Sequence, residues 1–442
     1  MSWQLGILAI VMGVANAWAW FERQQPDDWA SLWIAGMLVD RGQVDHLYDR
    51  DPNEFSLIAG DEWLSAAAQL PTPFPHPFVH NPFVAYLMAP LTNWMEFETS
   101  VVWLSALTGA AMVVLVASVY RLWHSTTMPW GYAAAATIAL AAMPSTQTVT
   151  WIGQTTMLVT AGGAYALATS SRSPYFAGIV LGMVAAVKIT PIVLIPVLLF
   201  ARRRWIAGAV AIGVTSLPFL VTALTLNKSL LDKWWSSLKD INDGVLVGEV
   251  NQSLSSAMLK HEIPAEAGVI LVQDYPGSVR TLPIILAVAM VIITIAVAWV
   301  NRYYRFQILA SMAWGIGVAF STIVWEHYLV LVVMFAAGIL AMSNTSWTKH
   351  IAWSGVAAVG FMLVFPMAMP TGAIALVEGT PYTGITALIT AMVLLLITAG
   401  IHAAHGDGRD VGDSMLGFDE LDHLVRAHQQ YGKHSAGHHR AH

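Results

Sequence analysis

The residues with the greatest capacity for chemistry stand at the edges of long apolar stretches. Two adjacent carboxylates, Asp27 and Asp28, follow the first apolar stretch by a few residues. Lys188 interrupts another between GMVAAV and ITPIV, and Glu326 with His327 forms a titratable pair inside a third. A carboxylate suits a general base, and a lysine suits an anionic group such as a phosphate. These residue types predict a reaction at one end of a set of apolar segments.

Each of these residues also has a purely structural interpretation. Asp27 and Asp28 follow a proline, and a carboxylate is favourable at a helix N-terminus. The Lys188 side chain suits extension to a membrane interface. Glu326 and His327 suit a polar turn between two helices. The sequence alone leaves both interpretations open at each position.

Motifs for other kinds of chemistry are missing from the sequence. We find no glycine-rich phosphate loop followed by Lys-Ser/Thr, no GxSxG elbow and no HExxH pair. The C-terminal HSAGHHRAH (434–442) has the residue type to bind a metal, but a His-rich tail of this kind is flexible. We expect no catalytic role for it.

The composition indicates that the elements around these residues lie in a membrane. Of the 442 residues, 56% are hydrophobic and 11% are charged, less than half of the ~25% charged residues usual in soluble domains. With no cysteine, the chain has no disulfide or cysteine–metal scaffold. The formal net charge of −6 gives no indication of nucleic-acid binding. A soluble globular protein and a disordered chain are both excluded.

The hydropathy pattern predicts an all-α polytopic membrane protein, a bundle of about 11–12 transmembrane helices with extracytoplasmic surface helices. Residues 3–21 lack a basic n-region and a clear cleavage site, so we expect a retained first helix. We expect a transmembrane domain over 1–402, with polar outer segments at 22–81 and 226–281, and a polar cytoplasmic tail at 403–442. The other apolar runs lie near 99–120, 131–148, 153–170, 174–187, 189–201, 205–225, 282–300, 306–323, 327–342, 351–369 and 383–402.

The short connections between apolar runs predict the orientation of the chain. If 22–81 is outside, alternation places every basic cluster inside, as the positive-inside rule requires. This requires 174–201 to be a hairpin of two arms, each ~20 Å long, with its tip at Lys188–Pro191 in a protein-lined cavity below the outer surface. One continuous 28-residue helix is the alternative, and it would break the charge pattern. The clusters are Arg121, Arg172, Arg202 to Arg204, the NRYYR segment at 301–305, and Lys349.

Six segments occur in a fixed order between residues 27 and 345. They are DDWASLWIAGMLVDRGQVDHLYD (27–49), FVHNPFVAYLMAPL (78–91), GQTTMLVTAGGAYAL (153–167), GMVAAVKITPIVLIPVLLFARRRW (182–205), NQSLSSAM (251–258) and STIVWEHYLVLVV (321–333). This string resembles glycosyltransferase family 87 of the GT-C superfamily. Asn81 stands where the first Pro of a Pro-Pro pair is usual, Thr322 replaces a Pro, and Tyr328 replaces the second of two His. The Tyr328 difference argues against a required catalytic role for that second His.

The resemblance implies an inverting transferase that uses a polyprenyl-phosphate sugar on the outer face of an actinobacterial-type plasma membrane. It implies a glycolipid or lipoglycan acceptor and no nucleotide sugar, metal or other cofactor. Asp28 would be the general base, with Asp27 and then Glu326 as the next candidates. Donor and sugar contacts are expected from Lys188, His327, Gln154, His80, Asn81, Asn251, Gln252 and Ser253, with stacking on Trp33, Trp151 and Trp325.

Three functions remain open from the sequence. A mannosyltransferase using polyprenyl-phosphate-mannose is favoured because NQSL and WEH look closer to the mannosyl branch of the family. An arabinofuranosyltransferase using decaprenyl-phosphate-arabinose is the nearer alternative. A lipid or solute transporter is the third, although the two halves show no inverted similarity and the long outer segments suit an extracytoplasmic active site.

Overall fold

The structure, a computed structural model, describes residues 2–50, 58–72, 75–226, 228–248, 250–260, 269–343, 346–364 and 382–404. Of the residues that the structure describes, 77% are helical, which confirms the predicted all-α class. The His-rich segment beyond Ala404 lies outside the described residues.

The helices of the first part of the chain are α1 (Trp3–Trp20), α2 (Asp27–Asp40), α3 (Asp61–Ala67), α4 (Pro82–Trp94), α5 (Phe97–His124), α6 (Trp130–Ala141), α7 (Pro144–Trp151), α8 (Thr156–Thr169), α9 (Pro174–Val187), α10 (Leu194–Phe200) and α11 (Trp205–Val221). The later elements are α12 (Lys228–Asp243), β1 (Val245–Val247), α13 (Leu254–Leu259), β2 (Ile270–Val272), α14 (Gly277–Val300), α15 (Arg305–Ala319), α16 (Val332–Ala341), α17 (Ser346–Val364) and α18 (Thr383–Ala404). Single helical turns of 3₁₀ type lie at Val44–His46, Thr190–Val193 and Glu326–Leu331, and α11 continues into a π-turn at Thr222–Leu226.

Five helices are long and apolar enough to cross a membrane alone: α1, α5, α11 with its extension, α14 and α18. Shorter or less apolar helices lie alongside them in the described part of the chain: α6, α8, α9, α10, α15, α16 and α17. Taken together these elements agree with the predicted bundle. Helices shorter than a full span are tolerated in lipid because their ends are buried against neighbouring protein.

The basic connections meet at one end of the bundle. The Arg204 guanidinium donates to the Leu167 carbonyl at 3.0 Å and to the Ser170 hydroxyl at 2.5 Å, beside the end of α8. The Arg204 guanidinium also lies 3.8 Å from the centroid of the Phe306 ring, which places the 301–305 connection at the same end. The predicted grouping of these clusters is therefore seen, and the membrane face on which they lie stays a prediction.

The segment 174–201 forms the predicted hairpin. Helices α9 and α11 run parallel, since Gly178 packs on Ala207 and Gly182 packs on Ala211. The chain between them must therefore return through α10. Helix α9 ends at Val187 because Lys188 has extended backbone angles, φ −140° and ψ 122°. One continuous helix is excluded.

The segment after α1 forms a compact layer of α2, α3 and α4 on the first turns of α5. A Cβ atom at Gly36 would lie 2.9 Å from Met88, so glycine allows α2 and α4 to approach closely. Trp33 is 4% exposed, and its ring packs edge-on against Phe97 with centroids 5.7 Å apart. Trp33 is therefore a core residue of this layer, which corrects the expectation that it stacks on a sugar.

Candidate active site

The start of α2 is held against the turn between α7 and α8. The Asp28 backbone N–H donates to the Ile152 carbonyl at 3.1 Å. Gly153 has φ +69°, and a Cβ there would lie 2.8 Å from the Cβ of Trp29. Only glycine adopts this backbone without strain in so little space. The turn at Gly153 thus places Gln154 beside the Asp28 side chain.

A polar network links Asp28 to the hairpin tip. The Gln154 amide donates through Nε2 to Asp28 Oδ2 at 2.7 Å and accepts through Oε1 from Lys188 Nζ at 3.0 Å. Lys188 Nζ also donates to Thr156 Oγ1 at 2.7 Å and lies 3.4 Å from His327 Nε2. Four residues that the sequence singled out therefore come together, although they are up to 299 positions apart. We call this set, with Thr156, the Asp28–Lys188 network.

The other Asp28 oxygen is paired with His76, which the sequence did not single out. His76 Nδ1 lies 2.6 Å from Asp28 Oδ1. Burial alone would raise the pKa of Asp28, but the hydrogen bond and charge of His76, with smaller contributions from His327 and Gln154, lower it to about 2. Burial lowers the pKa of His76, but the hydrogen bond and charge of Asp28 outweigh burial and raise it. At neutral pH Asp28 is therefore an ionised carboxylate, and its hydrogen bond and charge favour the protonated form of His76.

Asp27 is bound by Thr72. Its carboxylate is 8% exposed and accepts a hydrogen bond from the Thr72 hydroxyl through Oδ1. Its backbone carbonyl accepts from the His76 N–H at 3.4 Å. Of the two adjacent carboxylates, Asp28 is the one that faces Gln154 and Lys188.

His80 and Asn81 hold the segment that follows His76. His80 Nδ1 donates to the Val187 carbonyl at 2.9 Å, so its ring is tied to the hairpin tip, and burial lowers its pKa. Asn81 is 4% exposed, and its Oδ1 accepts from the Phe83 N–H at 2.9 Å. Asn81 is thus the N-cap of α4, in agreement with the N-cap preference for asparagine. Its Nδ2 is buried and has no hydrogen-bond partner among the described residues, so the expected donor contact of Asn81 stays a prediction.

Asn251 uses all its side-chain hydrogen-bonding capacity within the protein. It is fully buried, and Nδ2 donates to the Leu246 carbonyl at 2.7 Å and the Thr322 carbonyl at 3.3 Å. Its Oδ1 accepts from the N–H groups of Ser253 at 3.1 Å and Val324 at 2.8 Å. Because an amide offers two donors and one carbonyl oxygen, no atom is left for a sugar. Asn251 positions the strand-like segment 322–325 instead.

The neighbours of Asn251 serve the same junction. The Ser253 hydroxyl accepts from the Ser256 N–H at 3.1 Å and caps α13, and the buried Gln252 donates its backbone N–H to the Val324 carbonyl at 2.7 Å. This junction supports Trp325 and Glu326, both half-buried. The expected sugar contacts of Gln252 and Trp325, and the expected role of Glu326 as an alternative base, stay predictions.

Tyr328 adds an aromatic face to the network. Lys188 Nζ lies 4.6 Å from the centroid of its ring, and the ring meets that of His327 with centroids 4.8 Å apart. A cation over an aromatic face is stabilised by the ring quadrupole. Tyr328, which replaces the second His of the family pattern, thus contacts Lys188. Trp151, at the end of α7, is 41% exposed and remains available for stacking.

Within the described residues, the atoms of His46, Asp49 and Glu62 lie within 4.8 Å of one another, close enough to share a metal ion. They already pair with one another, since His46 Nδ1 lies 2.7 Å from Asp49 Oδ2 and 3.4 Å from Glu62 Oε2. None of the three belongs to the Asp28–Lys188 network. The expectation that no metal is needed stays a prediction.

The arrangement offers a base and a cation joined by one amide. Asp28 is ionised and faces Gln154, and Gln154 holds Lys188 on its other side. Such a pair can take a proton at one place and hold an anion at another.

The comparison with known proteins gives one family. The model of glycosyltransferase family 87 matches residues 78–324, more than half of the chain. The match includes His80, Gln154 and Lys188, whereas His327 lies just after its end and Asp28 lies well before its start. No curated protein and no solved structure matches the chain.

Proposed function

The chain belongs to glycosyltransferase family 87, and we propose that it transfers mannose from polyprenyl-phosphate-mannose to a lipid-linked mannoside or lipoglycan. Its membrane helices and its family make it a membrane glycosyltransferase with a sugar donor and a lipid-linked acceptor. The donor sugar, the polyprenyl carrier and the acceptor are our proposal. The observation that carries it is the Asp28–Lys188 network.

The network supplies the two functions that inverting transfer requires. Asp28 accepts the proton of the acceptor hydroxyl, and the hydroxyl oxygen forms a bond to the anomeric carbon. The bond between that carbon and the phosphate oxygen breaks, and the electron pair leaves with the polyprenyl phosphate. Lys188, with His327 beside it at 3.4 Å, stabilises the charge that develops on the phosphate.

The hairpin tip suits a lipid-borne phosphate. Lys188 lies at the junction of two short arms, and the next residue, Ile189, is 57% exposed on the apolar surface. A phosphate at Lys188 can therefore keep its isoprenoid chain in lipid, since apolar surface favours contact with the acyl region. This is the reason for proposing a lipid-phosphate donor rather than a water-soluble one.

The choice of sugar is supported by the NQSL and WEH segments, which resemble the mannosyl branch of the family. Decaprenyl-phosphate-arabinose is the second candidate, because family members also build arabinose-containing products. The test is transfer by the purified protein, offered each donor separately with an alkyl mannoside acceptor. Mannosylated product from polyprenyl-phosphate-mannose alone supports the proposal. Product from the arabinose donor alone would contradict it, as would release of free mannose with no product.

We propose that the Asp28 end of the bundle faces the outside of the plasma membrane and that the C-terminus is cytoplasmic. The positive-inside rule supports this orientation, because the arginine clusters lie at the opposite end. Cysteine at Ser236, exposed on α12 near the site, should react with a membrane-impermeant maleimide in intact cells. Cysteine at Ser171, exposed beside Arg172, should react only after permeabilisation.

The chain has no native cysteine, so all labelling comes from the introduced residue. Both changes replace serine by a residue of nearly the same shape at an exposed position. Labelling of Ser171→Cys in intact cells, with protection of Ser236→Cys, would reverse the orientation.

A further inference from the structure

We propose that His76 is a positioning residue that orients Asp28 and keeps its carboxylate ionised for sugar transfer. The inference rests on the proposed function in one respect, that Asp28 is the general base. It is carried by geometry, since His76 Nδ1 lies 2.6 Å from Asp28 Oδ1. The Asp28 side chain is 19% exposed, which leaves little water to solvate its charge.

The backbone fixes the ring in place. The His76 N–H donates to the Asp27 carbonyl at 3.4 Å, and the Asp27 carboxylate receives the Thr72 hydroxyl. On the other side, His80 is tied to the Val187 carbonyl at 2.9 Å. The loop that carries His76 is thus attached to α2 before it and to the hairpin tip after it.

The two partners of Asp28 determine the plane of its carboxylate. Oδ1 faces His76 and Oδ2 faces Gln154 at 2.7 Å. A carboxylate offers about four lone-pair positions, so both oxygens keep capacity for an acceptor hydroxyl. Removing His76 frees one oxygen and lets the side chain rotate about its bond to Gln154.

The charges around Asp28 show why His76 matters for ionisation. Burial favours the neutral acid, and His76 supplies the strongest opposing effects, a hydrogen bond and a positive charge. Because the pKa of Asp28 is lowered, its negative charge is present above its ordinary value of 3.8 and is lost only as the pH falls toward about 2. The ionisable groups that face the pair are Asp27, His80, Lys188, His327 and Tyr328.

The charge of His76 depends on pH in the opposite sense to the charge of Asp28. Its pKa is raised, so the contribution of its charge is complete below 6.5 and is lost as the pH rises through the raised value. Deprotonation of His76 leaves Asp28 ionised at high pH. In His76→Gln, by contrast, burial is no longer offset by a cation, and Asp28 takes up a proton at a higher pH.

The first test is the pH profile of transfer with polyprenyl-phosphate-mannose and an alkyl mannoside. Between about pH 8 and about pH 5, kcat/KM of His76→Gln should fall about tenfold more than that of the wild type, since each pH unit below a pKa costs a factor of ten. His46→Gln is the matched control. It removes a histidine that is equally exposed and equally close to a carboxylate, Asp49, at 2.7 Å.

A loss of activity by the same factor at every pH would overturn the proposal, because it would indicate a purely structural role. A profile of His76→Gln that parallels the wild type would overturn it as well. If His76→Gln does not yield monodisperse protein, His76→Asn replaces it with the same expected profile.

The second test needs no substrate and separates this proposal from the proposed function. Infrared difference spectra across the same pH range should show a new protonated-carboxyl band in His76→Gln. The band should be absent from the double variant His76→Gln, Asp28→Asn and from His46→Gln. Absence of the band from His76→Gln would overturn the inference even if Asp28 proves to be the base. Presence of the band with no transfer of mannose would leave the inference in place and contradict the donor assignment.

Discussion

Asp28→Asn is expected to transfer sugar at least ~10²-fold more slowly than the wild type, since general-base assistance contributes ~10²–10⁴-fold. The acceptor hydroxyl is a poor nucleophile until its proton is removed, and an amide cannot remove it. Of the two adjacent carboxylates, Asp28 is the one that accepts a hydrogen bond from Gln154 Nε2, at 2.7 Å. Donor binding should be largely retained, because Lys188 keeps its contacts to Gln154 and Thr156. The measurement is single-turnover transfer beside equilibrium binding of the donor.

The variant should fold normally. Asparagine is isosteric with aspartate, and the substitution removes no cap, because the N-cap of α2 is Pro26. Its amide oxygen can still accept from Gln154, and its NH₂ can donate to a neutral His76 ring, which loses its proton when the opposite charge is gone. An unchanged melting temperature with lost transfer therefore identifies a chemical role.

Asp27→Asn is the matched control. This carboxylate is bound by Thr72, whereas Gln154 donates to Asp28, so the substitution should be the milder one. If Asp28→Asn transfers sugar at nearly the wild-type rate and Asp27→Asn transfers none, the general base is Asp27 and not Asp28. If both variants stay active, the base lies elsewhere and Glu326 is the next candidate.

Charge and hydropathy were sufficient to predict the hairpin at 174–201. Arg172 and Arg202 must share one face of the membrane, and two short arms satisfy this where one long helix does not. The parallel packing of α9 and α11 bears this out. The layer of α2 to α4 was predicted only as a surface segment, because its core depends on long-range contacts such as that of Trp33 with Phe97.

The Asp28–Lys188 network could be assembled from the sequence because a polar residue in an apolar stretch has few explanations. The same argument could not assign the role of Asn251. This residue is buried and spends its amide on backbone groups, at a junction between segments. Sequence shows that such a residue needs partners, and only the fold shows whether the partners are protein or substrate.

Nothing of this kind marked His76, because it does not interrupt an apolar stretch. It lies in the proline-rich stretch PTPFPHPF, which has neither helical nor strand periodicity, and its partner is 48 positions earlier. The position of such a loop depends on its anchors, here Thr72 and His80, rather than on local propensity.

Lys188→Ala is expected to weaken use of the donor by about 1.5–3 kcal/mol, the range for hydrogen bonds to a charged group, or roughly ten- to hundredfold in kcat/KM. Among the residues that the structure describes, Lys188 makes no salt bridge with a carboxylate. Its Nζ is held by the neutral Gln154 and Thr156 at 3.0 and 2.7 Å. A cation held by neutral groups keeps its charge available for an incoming phosphate. Lys188→Arg should restore part of the loss, because the charge returns but a planar fork replaces a point charge.

Lys239→Ala, at an exposed site on α12, is the control for a lost positive charge at the same end of the bundle. Whether the loss in Lys188→Ala appears in the KM for the donor or in kcat shows how Lys188 acts. If it binds the phosphate, the KM for the donor rises and the rate falls together. A fall in turnover with an unchanged donor dissociation constant would mean that Lys188 acts through Gln154 on Asp28. Unchanged values of both would show that Lys188 has only a structural role in the network. In that case the phosphate must be held by another group, with His327 the residue of the network closest to take that role.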